Sequence, residues 1–147
     1  MNFLMKSVGG SKVLRTSPGF KVMARRRIYL ALLVLWVAIT FLLTSIPNPQ
    51  FDVPLPYADK IAHIGFYGMM GFLCAMWRRE SGGSAKVAAL SALAFVAIVG
   101  AVDEIHQQWI PGRSMEVIDW LADVTGGGIG ALFSAFLPLL LPFLLTE

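Results

Sequence analysis

Apolar residues fall into four long blocks along this chain, separated by short polar or proline-rich segments. The first runs from Ile28 to Ile46 without a charged residue and is closed by Pro47-Asn48-Pro49. The second, from about Ile61 to Trp77, contains one histidine and several glycines. The third runs from Val87 to Val102 and passes into the polar run Asp103-Glu104-Ile105-His106-Gln107-Gln108-Trp109. The fourth spans about Val117 to Leu137, broken near its start by Asp119 and Asp123. Pro138 and Pro142 then kink or end it, and the pattern leaves open whether residues 138–145 continue the helix. A membrane-crossing helix needs roughly 20 mostly apolar residues, and each block approaches that length. Pro47–Tyr57 holds four prolines and reads as an extended loop, while Ser81-Gly82-Gly83-Ser84 and Pro111-Gly112-Arg113 read as turns. The expected fold is all-α: a four-helix transmembrane bundle over residues 28–145, preceded by a basic segment over residues 1–27. The first block follows Arg25-Arg26-Arg27 as a secretory signal would, but its apolar core is too long and no small-x-small cleavage site follows, so a retained helix is expected.

Composition points the same way. Of 147 residues, 56% are apolar and only 14% charged, against about 25% charged in an ordinary soluble domain. This apolar content also excludes a disordered chain. The single cysteine, Cys74, rules out an intrachain disulfide, and there is no Cys-x-x-Cys pair for zinc. The net charge of +3 gains meaning from its distribution. Ten of the twelve basic residues lie before the first block or in the loop between the second and third, leaving Lys60 and Arg113 on the other side with seven of the nine acids. Positive residues stay on the cytoplasmic side of short loops, so both termini are expected there. The basic residues then face anionic lipid, and no basic face with interleaved aromatics suggests nucleic acid.

Three polar clusters mark the outer ends of the last three blocks. In the first, Asp59, His63 and Tyr67 recur at i, i+4, i+8 beside Lys60, which places them on one helical face, with Asp59 able to orient the His63 imidazole. The second is Asp103-Glu104-x-x-Gln107. Adjacent acids on a helix point about 100° apart, so one of the two, Glu104 by its match with Gln107, is expected to face a shared site. The third is Asp119-x-x-x-Asp123, where Asp119 doubles as a helix-start residue and Asp123 lies about 6 Å deeper. Charged groups at this depth are costly unless paired or hydrated, so three clusters at one level are expected to converge on one polar pocket. Each residue also has a purely structural reading: His63 as a packing residue, Asp103 and Glu104 as partners of Lys60 or Arg113, Arg113 as a solvated loop residue. His106 reads as an interfacial surface residue, and the glycines at 65, 68, 71, 126, 127, 128 and 130 read as close helix-packing faces.

The ordered set Asp59-Lys60-x-x-His63-x-x-x-Tyr67, Asp103-Glu104-x-His106-Gln107, Pro111-Gly112-Arg113 and Asp119-x-x-x-Asp123-x-x-Gly126 resembles the VanZ-like family of bacterial membrane proteins, over roughly residues 28 to 137. The resemblance implies a four-helix membrane fold and, through the family's namesake, a link to resistance to the glycopeptide teicoplanin. Many members carry Asn where this chain has Asp123, so this chain adds a carboxylate to the site.

Two functions are expected from these residues. In the first, Asp59, Lys60, His63, Tyr67, Asp103, Glu104, Gln107, Arg113, Asp119 and Asp123 form a site that recognises an anionic lipid or a lipid-linked cell-wall precursor, with Lys60 and Arg113 on its phosphates. The surplus of carboxylates calls for a divalent cation to bridge acids and phosphate, and the residues do not name the metal. The alternative is a membrane-embedded, metal-assisted hydrolase or transferase acting on a lipid-linked (pyro)phosphate, with Glu104, His63 and Asp123 as acid/base groups or ligands. An ion pathway is disfavoured because the inner halves of the blocks lack ionisable residues.

Overall fold

The computed structural model describes residues 18–47 and 57–140, so the expected basic tail up to residue 17, most of the Pro47–Tyr57 loop, and everything after Leu140 lie outside the described residues. Four helices follow in order: α1 (Pro18–Thr44), α2 (Ala58–Glu80), α3 (Ala85–Gln107) and α4 (Val117–Leu140). The all-α, four-helix expectation holds. Helix α1 begins well before the apolar block and runs through the expected 27/28 boundary, so Arg25, Arg26 and Arg27 are helical. Proline is suited to the first turn of a helix, where its missing N–H costs nothing, which fits a start at Pro18. Helix α3 begins where the Ser84 hydroxyl accepts the Val87 N–H and continues unbroken through the polar run to Gln107. The two expected turns are present, with Gly82 and Gly112 at φ +86° and +78°, a region that side-chain-bearing residues rarely adopt.

The helices alternate in direction. Thr44 at the end of α1 meets Asp103 near the end of α3, and both lie with the starts of α2 and α4. At the opposite end Arg25 of α1 pairs with Glu80 of α2 at 3.4 Å. Helices α2 and α4 form the tightest pair, both pack on α3, and α1 lies along α2 and scarcely touches α3. Glycine permits the α2–α4 approach: a Cβ at Gly71 would collide with the Gly127 carbonyl, one at Gly126 with the Ile64 carbonyl, and one at Gly130 with the Gly68 carbonyl. Trp36 ties α1 to α2 by donating its Nε1–H to the Phe66 carbonyl at 2.8 Å and stacking on the Phe66 ring.

Helix α4 passes through Pro138 and extends to Leu140. Proline has no N–H, so the Ser134 carbonyl one turn earlier loses its helical donor. The Arg79 guanidinium, from the end of α2, donates to that carbonyl instead. A neighbouring helix thus supplies what the proline withholds, as buried backbone in an apolar setting requires.

Among the described residues two helices, α1 over Val22–Thr44 and α3, are long and apolar enough to cross a bilayer. Helices α2 and α4 have similar lengths but are diluted by polar and glycine positions. Large apolar side chains cover the outside of the bundle, among them Leu42, Leu90, Ile98 and Leu132, each more than half exposed. The buried polar residues of the described chain are, apart from Ser134, gathered toward one end: Thr40, Asp103, Glu104, Gln107, Asp119 and Asp123.

The glycine contacts give a stability prediction. Gly71→Leu and Gly126→Leu should each cost at least about 3 kcal/mol, because the bulk meets backbone that cannot swing aside. Gly65→Leu, at a position with nothing near its absent Cβ, should be tolerated. Thermal unfolding of the detergent-solubilised variants, followed by circular dichroism, measures the difference.

Candidate metal centre

Helix α2 presents Lys60, His63 and Tyr67 toward its neighbours. Their spacing keeps them on one inward stripe. Lys60 reaches three carboxylates: Asp59 at 2.9 Å, Glu116 at 2.8 Å, and Asp119 in the closest contact. Burial works against the Lys60 charge, and these carboxylates offset that cost.

Asp59 does not orient His63, contrary to the expectation from i, i+4 spacing. Its side chain is 60% exposed and turned to Lys60, and the His63 Nδ1 is bonded instead to Asp123 Oδ1 of α4 at 2.7 Å. The second ring nitrogen faces Asp119 Oδ2 at 3.9 Å, so the imidazole lies between two α4 carboxylates one turn apart. Glycines bring α4 close against α2, so Asp123 reaches His63 across the interface while Lys60 engages Asp59.

Helix α3 contributes Asp103, Glu104 and Gln107, all buried. The expectation that one of the two adjacent acids would face away is also corrected. The end of α3 is embedded on two sides, and each acid finds its own donors. Asp103 accepts from Thr44 Oγ1 at 2.7 Å, Tyr67 Oη at 2.9 Å and Gln107 Nε2 at 3.3 Å. Glu104 accepts the Glu116 backbone N–H at 2.9 Å and the Gln107 amide at 3.4 Å. The α3–α4 loop is thereby tied to the site through its backbone and, via Glu116 and Lys60, through a side chain.

Arg113 does not stand free at the mouth. Its Nε and Nη2 donate to the Ile46 and Leu43 carbonyls at the end of α1, and Nη1 to Gln107 Oε1. The guanidinium therefore caps α1, where carbonyls lack helical donors and the helix dipole favours a cation. Asp119 sits in the first turn of α4, as expected, but its carboxylate serves Lys60. His106 is half-buried against Phe41, apart from the cluster.

Ten expected site residues thus lie at one end of the bundle, with Asp59 on its rim. Thr44 and Glu116 join them and were not anticipated. Thr44 lies within the uncharged first block, where nothing in the sequence distinguishes its hydroxyl from those of Thr40 and Ser45; Glu116 lies three residues before Asp119, a spacing that could have drawn it in.

Three of these side chains form a narrower group. His63, Glu104 and Asp123 can each offer one ligand atom, all within 4.8 Å of one another. Ligands sharing one ion at ~2.1 Å lie at most about 4.2 Å apart, so a small rotamer adjustment suffices. The second Asp123 oxygen, Oδ2, is buried with no hydrogen-bond partner, although its residue is fully enclosed. A buried carboxylate oxygen without a donor is unfavourable. A cation would satisfy it. Gly100 makes room here, since a Cβ at that position would stand 2.9 Å from Oδ2. One imidazole and two carboxylates suit Mn²⁺, Fe²⁺ or Zn²⁺, and leave coordination positions for water or substrate.

The model of the family described as VanZ/LLP1 matches residues 21–140, and the chain belongs to that family. With its exposed apolar helices, this makes it a membrane-associated protein. No curated protein and no solved structure matches the chain significantly.

Lys60 is the cation that the rim carboxylates share. Lys60→Met should lower stability by about 2 kcal/mol, between the values for surface and buried ion pairs. The double variant Lys60→Met/Asp119→Asn should recover about half of that loss. Chemical unfolding in detergent micelles tests both, and an unchanged midpoint in the single variant would show that Lys60 is merely solvated.

Proposed function

We propose that this VanZ/LLP1-family protein is a multi-pass membrane enzyme, using a divalent cation held by His63, Glu104 and Asp123 to hydrolyse or transfer the phosphate of a lipid-linked (pyro)phosphate. The observation that carries the reading is the unpartnered Oδ2 of the fully buried Asp123, beside the buried Glu104 and the partly buried His63. In the proposed topology all four helices cross the bilayer and both termini face the cytoplasm, because most basic residues lie before α1 or between α2 and α3. The acid-rich end then faces the exterior, at the depth of outer-leaflet headgroups.

A bound cation supplies Lewis acidity toward a phosphoryl oxygen and makes a coordinated water more acidic. The chain's own residues do the rest. Asp119 lies on the free side of the His63 ring and steers it. Asp103, with three donors of its own, keeps Tyr67 and Gln107 fixed beside the centre. Lys60 and Arg113 are both engaged, by carboxylates and by helix-end carbonyls, which favours a metal over a free side-chain cation as the phosphate's partner. In hydrolysis, water adds to the terminal phosphorus as the bridging P–O bond breaks, releasing inorganic phosphate and the lipid monophosphate. The same site without turnover would recognise a lipid-linked precursor, the form in which a role in glycopeptide resistance would arise.

The test uses the full chain in nanodiscs with polyprenyl pyrophosphate and added Mn²⁺, Zn²⁺ or Mg²⁺. Phosphate release should appear with a transition metal, stop with chelator, and fall at least about 100-fold in Glu104→Gln, as expected for loss of a ligand or an acid/base group. Lipid binding without release under every metal would replace the enzymatic reading by recognition. Metal content equal in the original protein and in Asp123→Asn would remove the metal centre itself.

A further inference from the structure

Several buried side-chain atoms of the described residues lack a hydrogen-bond partner. At the carboxylate-rich end Asp123 Oδ2 and His106 Nδ1 have none, while Asp119 Oδ1 is taken by Lys60. At the opposite end Trp77 Nε1 and Arg78 Nε have none, while Arg25 Nε is paired with Glu80. A buried N–H without an acceptor is unfavourable, so this second end is short of acceptors.

The same end contains a cavity of about 450 Å³ between the start of α1, the end of α2 and the α2–α3 turn. Arg79 and Glu80 supply its polar wall, Val22 and Met76 an apolar one, and Gly82-Gly83 its floor. Arg25 stands beside it, with its Nε 3.4 Å from Glu80 Oε2. Arg26, Arg27, Arg78 and Lys86 lie on the same end, and Glu80 is the acid among them in the described residues. One carboxylate therefore faces a marked surplus of positive charge. Arg79 commits one nitrogen to the Ser134 carbonyl and keeps its other N–H groups.

We infer that this cavity binds the phosphate of an anionic glycerophospholipid, with the phosphate against the Arg25 and Arg79 guanidiniums and the glycerol and first acyl carbons against Val22 and Met76. The chemistry is complementary in three respects. Phosphate and ester oxygens are acceptors for the Arg79 N–H groups that the Ser134 carbonyl leaves over. The charge surplus favours a net anionic lipid over a zwitterionic one. The mixed wall suits a molecule that is charged at one end and aliphatic at the other, and the cavity lies where α1 enters its apolar stretch, at headgroup depth. The inference is independent of the enzymatic reading, since it uses none of the same residues.

Native mass spectrometry of the detergent-purified full chain, titrated with phosphatidylglycerol or with phosphatidylcholine of identical acyl chains, tests it. One phosphatidylglycerol should bind at least about fivefold more tightly than phosphatidylcholine, the scale of one basic side chain near a charged surface. Arg25→Gln should remove most of that preference. Glu80→Gln, which takes away the competing carboxylate, should increase it, and a gain in affinity cannot come from misfolding. Equal binding of the two lipids, or a Glu80→Gln variant that binds phosphatidylglycerol no better, would overturn the site. So would displacement of the lipid by an equal concentration of glycerol phosphate, because that would make it a site for soluble anions.

Discussion

Removing a carboxylate from water is costly, by several kcal/mol even after relaxation, unless donors or cations take the water's place. This bundle encloses Asp103, Glu104, Asp119 and Asp123 within one end, and much of its architecture can be understood as compensation for that burial. Asp103 draws in Thr44 and so fixes the end of α1 against α3, two helices that otherwise hardly meet. Glu104 takes the Glu116 N–H and folds the α3–α4 loop back over the site. Asp119 takes Lys60, which gathers Asp59 and Glu116 with it. Only Asp123 is left half-satisfied, with His63 on one oxygen and nothing on the other. The incomplete member of an otherwise complete network is where chemistry is most naturally sought.

The network depends on distance, and the distance is set by glycine. With backbone against backbone at Gly71, Gly126 and Gly130, α4 comes near enough for Asp123 to reach His63 across the interface. Association in an apolar surrounding gains nothing from excluding water, so close contact and interhelical hydrogen bonding must supply the attraction. Here the two act together: small residues along the middle of α2 and α4, and polar ones at the end.

The arrangement was partly legible in the sequence. Block lengths gave the four helices, and charged residues recurring at one predicted depth gave their convergence, because both follow from periodicity and rise alone. The glycines were readable as packing faces for the same reason. Periodicity describes one helix at a time, however, and the departures all involve a second. Asp59 shares a helical stripe with His63, yet Asp123 displaces it from another helix. Asp103 and Glu104 point in different directions, yet α3 has polar neighbours on both sides. Arg113 looked available because nothing in a local window reveals the unsatisfied carbonyls of α1. Thr44 has one hydroxyl in an apolar block, and its value exists only opposite Asp103.

Arg79 and Pro138 illustrate how such a partnership constrains the history of a chain. The proline leaves the Ser134 carbonyl wanting, and the guanidinium from α2 answers it. Neither residue is advantageous to this contact by itself: a lineage that exchanged the proline for an ordinary residue would restore the amide and release the arginine to drift, whereas one that lost the arginine first would carry a defect until the proline went too. The two positions are therefore free to change in one order and penalised in the other, a ratchet set by a single missing hydrogen.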